Sequence, residues 1–283
     1  MISVKLPRAA PLALALSFSV TSPRVHAQTK TRRAETSKDI IEKAYNLSLQ
    51  KDRSQAINIL VNAIKQENLN GGNTAELKKA LQQVSYLFYS DRAQQAYELA
   101  LSLRKTDLTG AQQKLNEALR MEPDNLSLFV ELQRILLAKG DCSAALDGVT
   151  KERQQDPFDE NLVLLQAQAQ MCLGKGDAFA KTKELADTRK SALAKYWINL
   201  EIDQATNDKN VPKAKELLSL LAKMDPKYPA VDYWQWRLAA PAAKAEAAQK
   251  YLKDCKNISP MTYRQYMTDV NLCRNKITPE NAE

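Results

Sequence analysis

Pro123, Pro157 and Pro226 stand 34 and 69 residues apart, close to one and two multiples of a 34-residue unit. Twelve residues before each lies an alanine: Ala111, Ala145 and Ala214. Four residues after each alanine comes an apolar side chain: Leu115, Val149 and Leu218. An earlier copy holds Ala56, Leu60 and Ala63, with Asn68 where the proline would fall. A fixed period of this length means that one supersecondary unit is used repeatedly, which limits the fold to repeat architectures. The unit is helical. Apolar residues recur at three and four, as in Ile57, Leu60, Val61 and Ile64, or Leu128, Leu132, Ile135 and Leu136. That is the stripe of an amphipathic helix. Strong helix formers (Ala, Leu, Lys, Gln, Glu) fill the long stretches, and glycine is scarce at 7. No run alternates Val, Ile and Thr as a strand does. The expected class is all-α, with helices of roughly 10 to 16 residues joined by short turns.

The prolines fall where such helices end, because proline cannot continue a helical ladder. Their neighbours suit a turn: Glu122-Pro123-Asp124-Asn125, Asp156-Pro157-Phe158-Asp159 and Asp225-Pro226-Lys227-Tyr228. Lys139-Gly140-Asp141 and Lys175-Gly176-Asp177 each offer a glycine stop followed by an Asp suited to capping the next helix.

In these features the sequence resembles the tetratricopeptide repeat (TPR) family over most of residues 37–255. The units fall near 37–70, 92–125, 126–159, 160–194 and 195–228. Residues 71–91 interrupt the register with an extra helix from Thr74 to about Tyr89, and 229–255 read as a last helix pair broken by Pro241. Segment 160–194 fits with one extra residue near Gly174-Lys175-Gly176, keeping small residues at Ala167 and Ala180. The repeats are degenerate: the small residue of the first helix is replaced by Leu99, Gln133 and Ile202 elsewhere. The resemblance implies an α-solenoid of antiparallel helix pairs wound into a right-handed superhelix. The alanine early in each second helix would allow close approach of the pair. A partner would lie on the concave face, with Tyr45, Arg134, Gln168, Asn199 and Asp203 as the inward candidates. The paired Lys and Asn residues of the family's chaperone-tail clamp are not visible, so binding of a C-terminal carboxylate is not expected. Tyr196 and Trp197, and the denser group Tyr228, Tyr233, Trp234 and Trp236, are either core or an aromatic binding patch.

Four cysteines, Cys142, Cys172, Cys255 and Cys273, show no Cys-x-x-Cys spacing, so neither a zinc ribbon nor a thioredoxin-type motif is present. They are either disulfide partners or small buried hydrophobes. In the repeat frame Cys142 starts the second helix of one unit and Cys172 ends the first helix of the next. Antiparallel packing would join them. Cys255–Cys273 would pair by elimination, with the tail doubling back around Asp269 to Asn271.

Lys5 and Arg8, the apolar stretch Ala9 to Val20, and Val25-His26-Ala27 have the layout of a signal peptide cleaved after Ala27. Residues 28–36 form a basic segment after it, and 256–283 a helical cap and polar tail. The apolar stretch is shorter than the roughly 20 residues of a spanning helix, so no integral membrane span is expected. Cleavage would remove Lys5, Arg8 and Arg24 with no acid, lowering the net charge from +8 to +5. It would also remove His26, the only histidine. Ser-His-Asp and Cys-His catalysis and imidazole metal sites are then excluded. Walker, calcium-loop and nucleophile-elbow patterns are absent. The expectation is therefore no enzyme, no cofactor and no metal. The chain reads as an exported scaffold or adaptor that binds a protein in the bacterial periplasm or outside the cell. The alternative is an accessory that binds glycan, cell wall or an anionic polymer. Diffuse charge and export argue against nucleic acid.

Overall fold

The computed structural model describes residues 35–104 and 106–257. The signal-peptide layout, the Cys255–Cys273 pairing and the tail after 257 lie outside the residues and side chains described. The described residues form thirteen helices and no strand. They are α1 (Ser37–Leu49), α2 (Arg53–Leu69), α3 (Ala75–Tyr86), α4 (Asp91–Leu103), α5 (Leu108–Met121), α6 (Leu126–Lys139) and α7 (Cys142–Gln155). The second half adds α8 (Glu160–Cys172), α9 (Gly176–Lys183), α10 (Ala194–Asn207), α11 (Val211–Met224), α12 (Pro229–Arg237) and α13 (Pro241–Asn257).

Helix starts follow the polar residues that precede them. Asp52, Ser90, Asp107, Asn125, Asp159 and Asn210 each accept a hydrogen bond from a first-turn amide, and Thr36 forms a reciprocal box with Asp39. Helix ends follow the prolines. Glu122, Asp156 and Asp225 close α5, α7 and α11 with ψ of 78°, 87° and 86°. A residue before proline is pushed out of the helical region in this way. Gly140 ends α6 at φ 87°. In the next pair the left-handed residue is Gly174, at φ 68°, and not Gly176, which opens α9.

Neighbouring helices pack pairwise: α1 with α2, α4 with α5, α6 with α7, α8 with α9, α10 with α11, and α12 with α13. The alanine register explains the fit. Ala56, Ala111, Ala145 and Ala214 are each the fourth residue of their helix, and all are fully buried. Ala111 and Leu115 meet Ala93, Ala96 and Ala100 of α4 and Leu128 and Ile135 of α6. Ala145 and Val149 sit among Leu126, Val130, Leu162 and Leu165. Ala214 packs among Trp197, Ile198, Ile202 and Phe179. The α8–α9 pair departs from the expected register. Phe179 is the fourth residue of α9 and is fully buried, whereas Ala180 is half-buried. The small-residue contact is replaced there by a ring, and α9 is only 8 residues long. Pro241 opens α13, the second helix of the last pair, as the missing amide of proline allows.

The extra helix has an unexpected place. α3 closes a core with α1 and α2, through Leu77, Ala80, Leu81 and Val84. It then packs on α6, whose sequence lies beyond the intervening α4–α5 pair. Phe158, from the α7–α8 turn, joins the same α1–α3 core. The three N-terminal helices therefore lean on the turn edge of the later pairs. The outer face of α4 carries exposed Asp91, Arg92, Gln94, Gln95, Glu98 and Ser102. Among the described residues no helix is long and apolar enough to cross a membrane.

Candidate functional site

Two polar seams run where α1–α3 meet the turns. The first centres on Arg53, the first residue of α2 and fully buried. Its guanidinium donates to Glu122 at 3.0 Å, to Asp124 at 2.7 Å, and to the carbonyls of Val84 and Leu87. It lies 4.3 Å from the centroid of the Tyr89 ring. The other oxygen of Glu122 accepts from the amides of Tyr89 and Ser90, and Asn125 donates to both Glu122 and Leu87. Burial pushes the Glu122 carboxyl up, but the donors Asn125, Arg53, Tyr89 and Ser90 outweigh it and hold the group below its ordinary value. The acid before Pro123 thus ties residues 87–90 to α2 and to the α5–α6 turn.

The second seam begins at buried Arg104, which donates to Glu131 at 2.7 Å. Arg134 stands 3.7 Å from the other Glu131 oxygen and donates to Asn161. Asn161 donates to the Tyr86 hydroxyl, which donates to Asp159 at 3.0 Å. Asp159 also caps α8. Burial raises its carboxyl above the ordinary range. Burial, helped by the charge of Asp159, pushes Asp156 up to about 6. Asp156 accepts from the Phe158 amide of its own turn. The raised values therefore arise from burial of the turn, against the pull of the amide hydrogen bonds that these carboxyls accept.

This turn forms one wall of a cleft of about 440 Å³. α3 supplies the second wall with Lys78, Lys79 and Gln82, and the segment before α10 the third with Lys190, Ser191 and Leu193. Charges in the cleft are unequally engaged. Asp159 is held by Tyr86 and the Leu162 amide, Asp156 by its turn, and Glu160 by the Ser191 hydroxyl. Lys78 and Lys79 are exposed, with Lys78 5.8 Å from the Phe158 ring. Lys190 reaches Asp187 only at 3.9 Å. The cleft can therefore offer ammonium groups and one aromatic face.

The residues expected to face a partner lie elsewhere. Tyr45 donates to Gln83 across the α1–α3 contact. Arg134 belongs to the second seam. Gln168 is buried within α8. Tyr196 is buried edge-on to Tyr228 at 6.0 Å, and Asn199 accepts from the Trp234 indole at 2.6 Å. Trp234 and Trp236 are buried, and half-buried Tyr233 stands edge-on to both of them and to Tyr251. Asp203 is half-buried, and burial raises its carboxyl against the pull of Arg237. The late aromatics are thus core of α10–α13, because flat rings fill the space between the last helices. They do not form an open patch. Cys142 and Cys172 lie at bonding distance, with Cα atoms 6.1 Å apart, and join the start of α7 to the end of α8. The seams and the cleft were not read from the sequence. The acid before each proline was the available signal, and only folding shows what reaches it. Among the described residues no group of three or more His, Cys, Asp or Glu is placed to hold a metal ion. Compared with known proteins, the sequence matches no family model and no curated protein.

Proposed function

We propose that the chain is an exported, TPR-like scaffold that holds a protein partner in the cell envelope. The observation that carries this reading is the buried alanine at the same place in α2, α5, α7 and α11, with a non-helical residue before proline after three of these helices. Units built alike and packed on their neighbours make a solenoid whose long surface suits capture of another chain. Bonding distance between Cys142 and Cys172 supports a compartment where thiols oxidise. The glycan reading called for exposed aromatics, and burial of Trp234 and Trp236 leaves it without that surface.

Photo-crosslinking tests the reading. A crosslinker at Gln82, beside the cleft, should capture one discrete protein in the native compartment. The same group at Gln95 on the outer face of α4 should not. Capture of nothing at either place, with turnover of a purified substrate, would overturn the scaffold reading. Intact mass of the exported protein, before and after reduction, tests cleavage after Ala27 and counts the disulfides.

A further inference from the structure

We infer that the cleft between α3, the α7–α8 turn and the segment before α10 receives an extended acidic peptide segment of the partner. This rests on the scaffold reading and names the chemistry of what is held. Its volume of about 440 Å³ falls within the rough 300–1,000 Å³ of ligand clefts. Three lysines and three acids line the cleft, and their exposure selects the ligand: Asp156 and Asp159 are buried, whereas Lys78, Lys79 and Lys190 are exposed. Each carboxylate in the cleft already accepts from a hydroxyl or an amide of the protein, as set out above. Among the described residues the three ammonium groups lack such partners: Lys79 has none, Lys78 has only the face of Phe158, and Lys190 has Asp187 at 3.9 Å. A ligand gains by matching groups left unmatched, so it carries acids. The lysines stand on two walls and the ring on the third, so a ligand with spaced acids fits better than a single small anion. The start of α10 borders the cleft and adds its positive end, whereas the start of α8 is already capped by Asp159. Leu193, the residue before α10, has no side chain to cap its amides. The site lies outside the inward helix faces first expected to hold a partner.

The test is direct titration of the purified chain with a short fluorescein-labelled peptide of alternating glutamate and serine, followed by anisotropy. Its glutamine counterpart and polyphosphate serve as comparison probes. The glutamate peptide should bind, the glutamine peptide should not, and Lys79→Glu combined with Lys190→Glu should weaken binding about tenfold or more. Both lysines are exposed, so the fold should survive, and circular dichroism checks it. Lys65→Glu on the exposed face of α2 should change binding less than about twofold. Three results overturn the inference: no binding, an equal loss from Lys65→Glu, or polyphosphate binding more tightly than the peptide with the same dependence on Lys79 and Lys190. Peptide binding in the cleft alongside no protein captured in the envelope would instead count against the scaffold reading alone.

Discussion

Removing the Glu122 carboxylate strands the Arg53 guanidinium in a buried place with Asp124 as its remaining counter-charge. Breaking a buried pair from one side costs about 3–5 kcal/mol, and the surviving Asp124 contact points to the lower end. Glu122→Ala should therefore lower stability by about 3 kcal/mol, read as a lower urea midpoint with an unchanged slope. Asp156 works in the opposite sense. Its folded value of about 6 lies above the ordinary 3.8, so the folded state favours the protonated form. The stability this provides is complete below pH 3.8 and is lost as pH rises through about 6. Asp156→Asn keeps an acceptor for the Phe158 amide and removes the buried charge. The variant should exceed the parent at pH 7, by at most about 3 kcal/mol, and lose that advantage near pH 4. Thermal melts of both proteins across that range check the crossover.

At the scale of the element, a helix pair is set by one small residue and the space it leaves. Ala111→Leu would force added methylenes into a filled contact with α4 and α6, at about 1–3 kcal/mol. Ala180→Leu should be nearly neutral, since its place is half-buried. Phe179→Ala should cost about 3–5 kcal/mol, because the ring fills the contact in α9. Denaturation of the three variants separates the true register from the shifted one. The helices and their pairing were legible because period, proline and alanine act locally. The slip from Ala180 to Phe179 was not, since one residue of turn decides which side chain faces inward and two left-handed-capable glycines, Gly174 and Gly176, stood with only Lys175 between them. The Cys142–Cys172 contact was legible for the same local reason: antiparallel neighbours place a start beside an end. Reducing that bond should lower stability by about 3–4 kcal/mol, as reopening a loop of 30 residues requires. Melts with and without reductant measure it.

For the whole molecule, the open question in the sequence was where residues 71–91 would go. A repeat pattern reports what a unit does with its immediate neighbours. It carries no information about a helix that skips a pair. α3 reaches α6 because Tyr86 and Phe158 each complete a core that belongs to the other part of the chain. The lysine cleft was illegible for that reason too: Lys78, Lys79 and Lys190 meet only after the skip. The attachment of α1–α3 is largely polar. Tyr86 holds Asp159 and Asn161, Arg53 holds Glu122 and Asp124, and the Ser127 hydroxyl donates to the Tyr86 carbonyl. Such a seam can open without unfolding the pairs it joins. Tyr86→Phe removes one donor and leaves Asp159 buried without it, a loss of about 1–3 kcal/mol at the seam. Amide exchange should then accelerate across α1, α2 and α3 together, while α10 and α11, joined through the buried Trp197 and Ala214 core, keep their protection. Uniform acceleration along the chain would mean that the N-terminal helices and the later pairs unfold as one body.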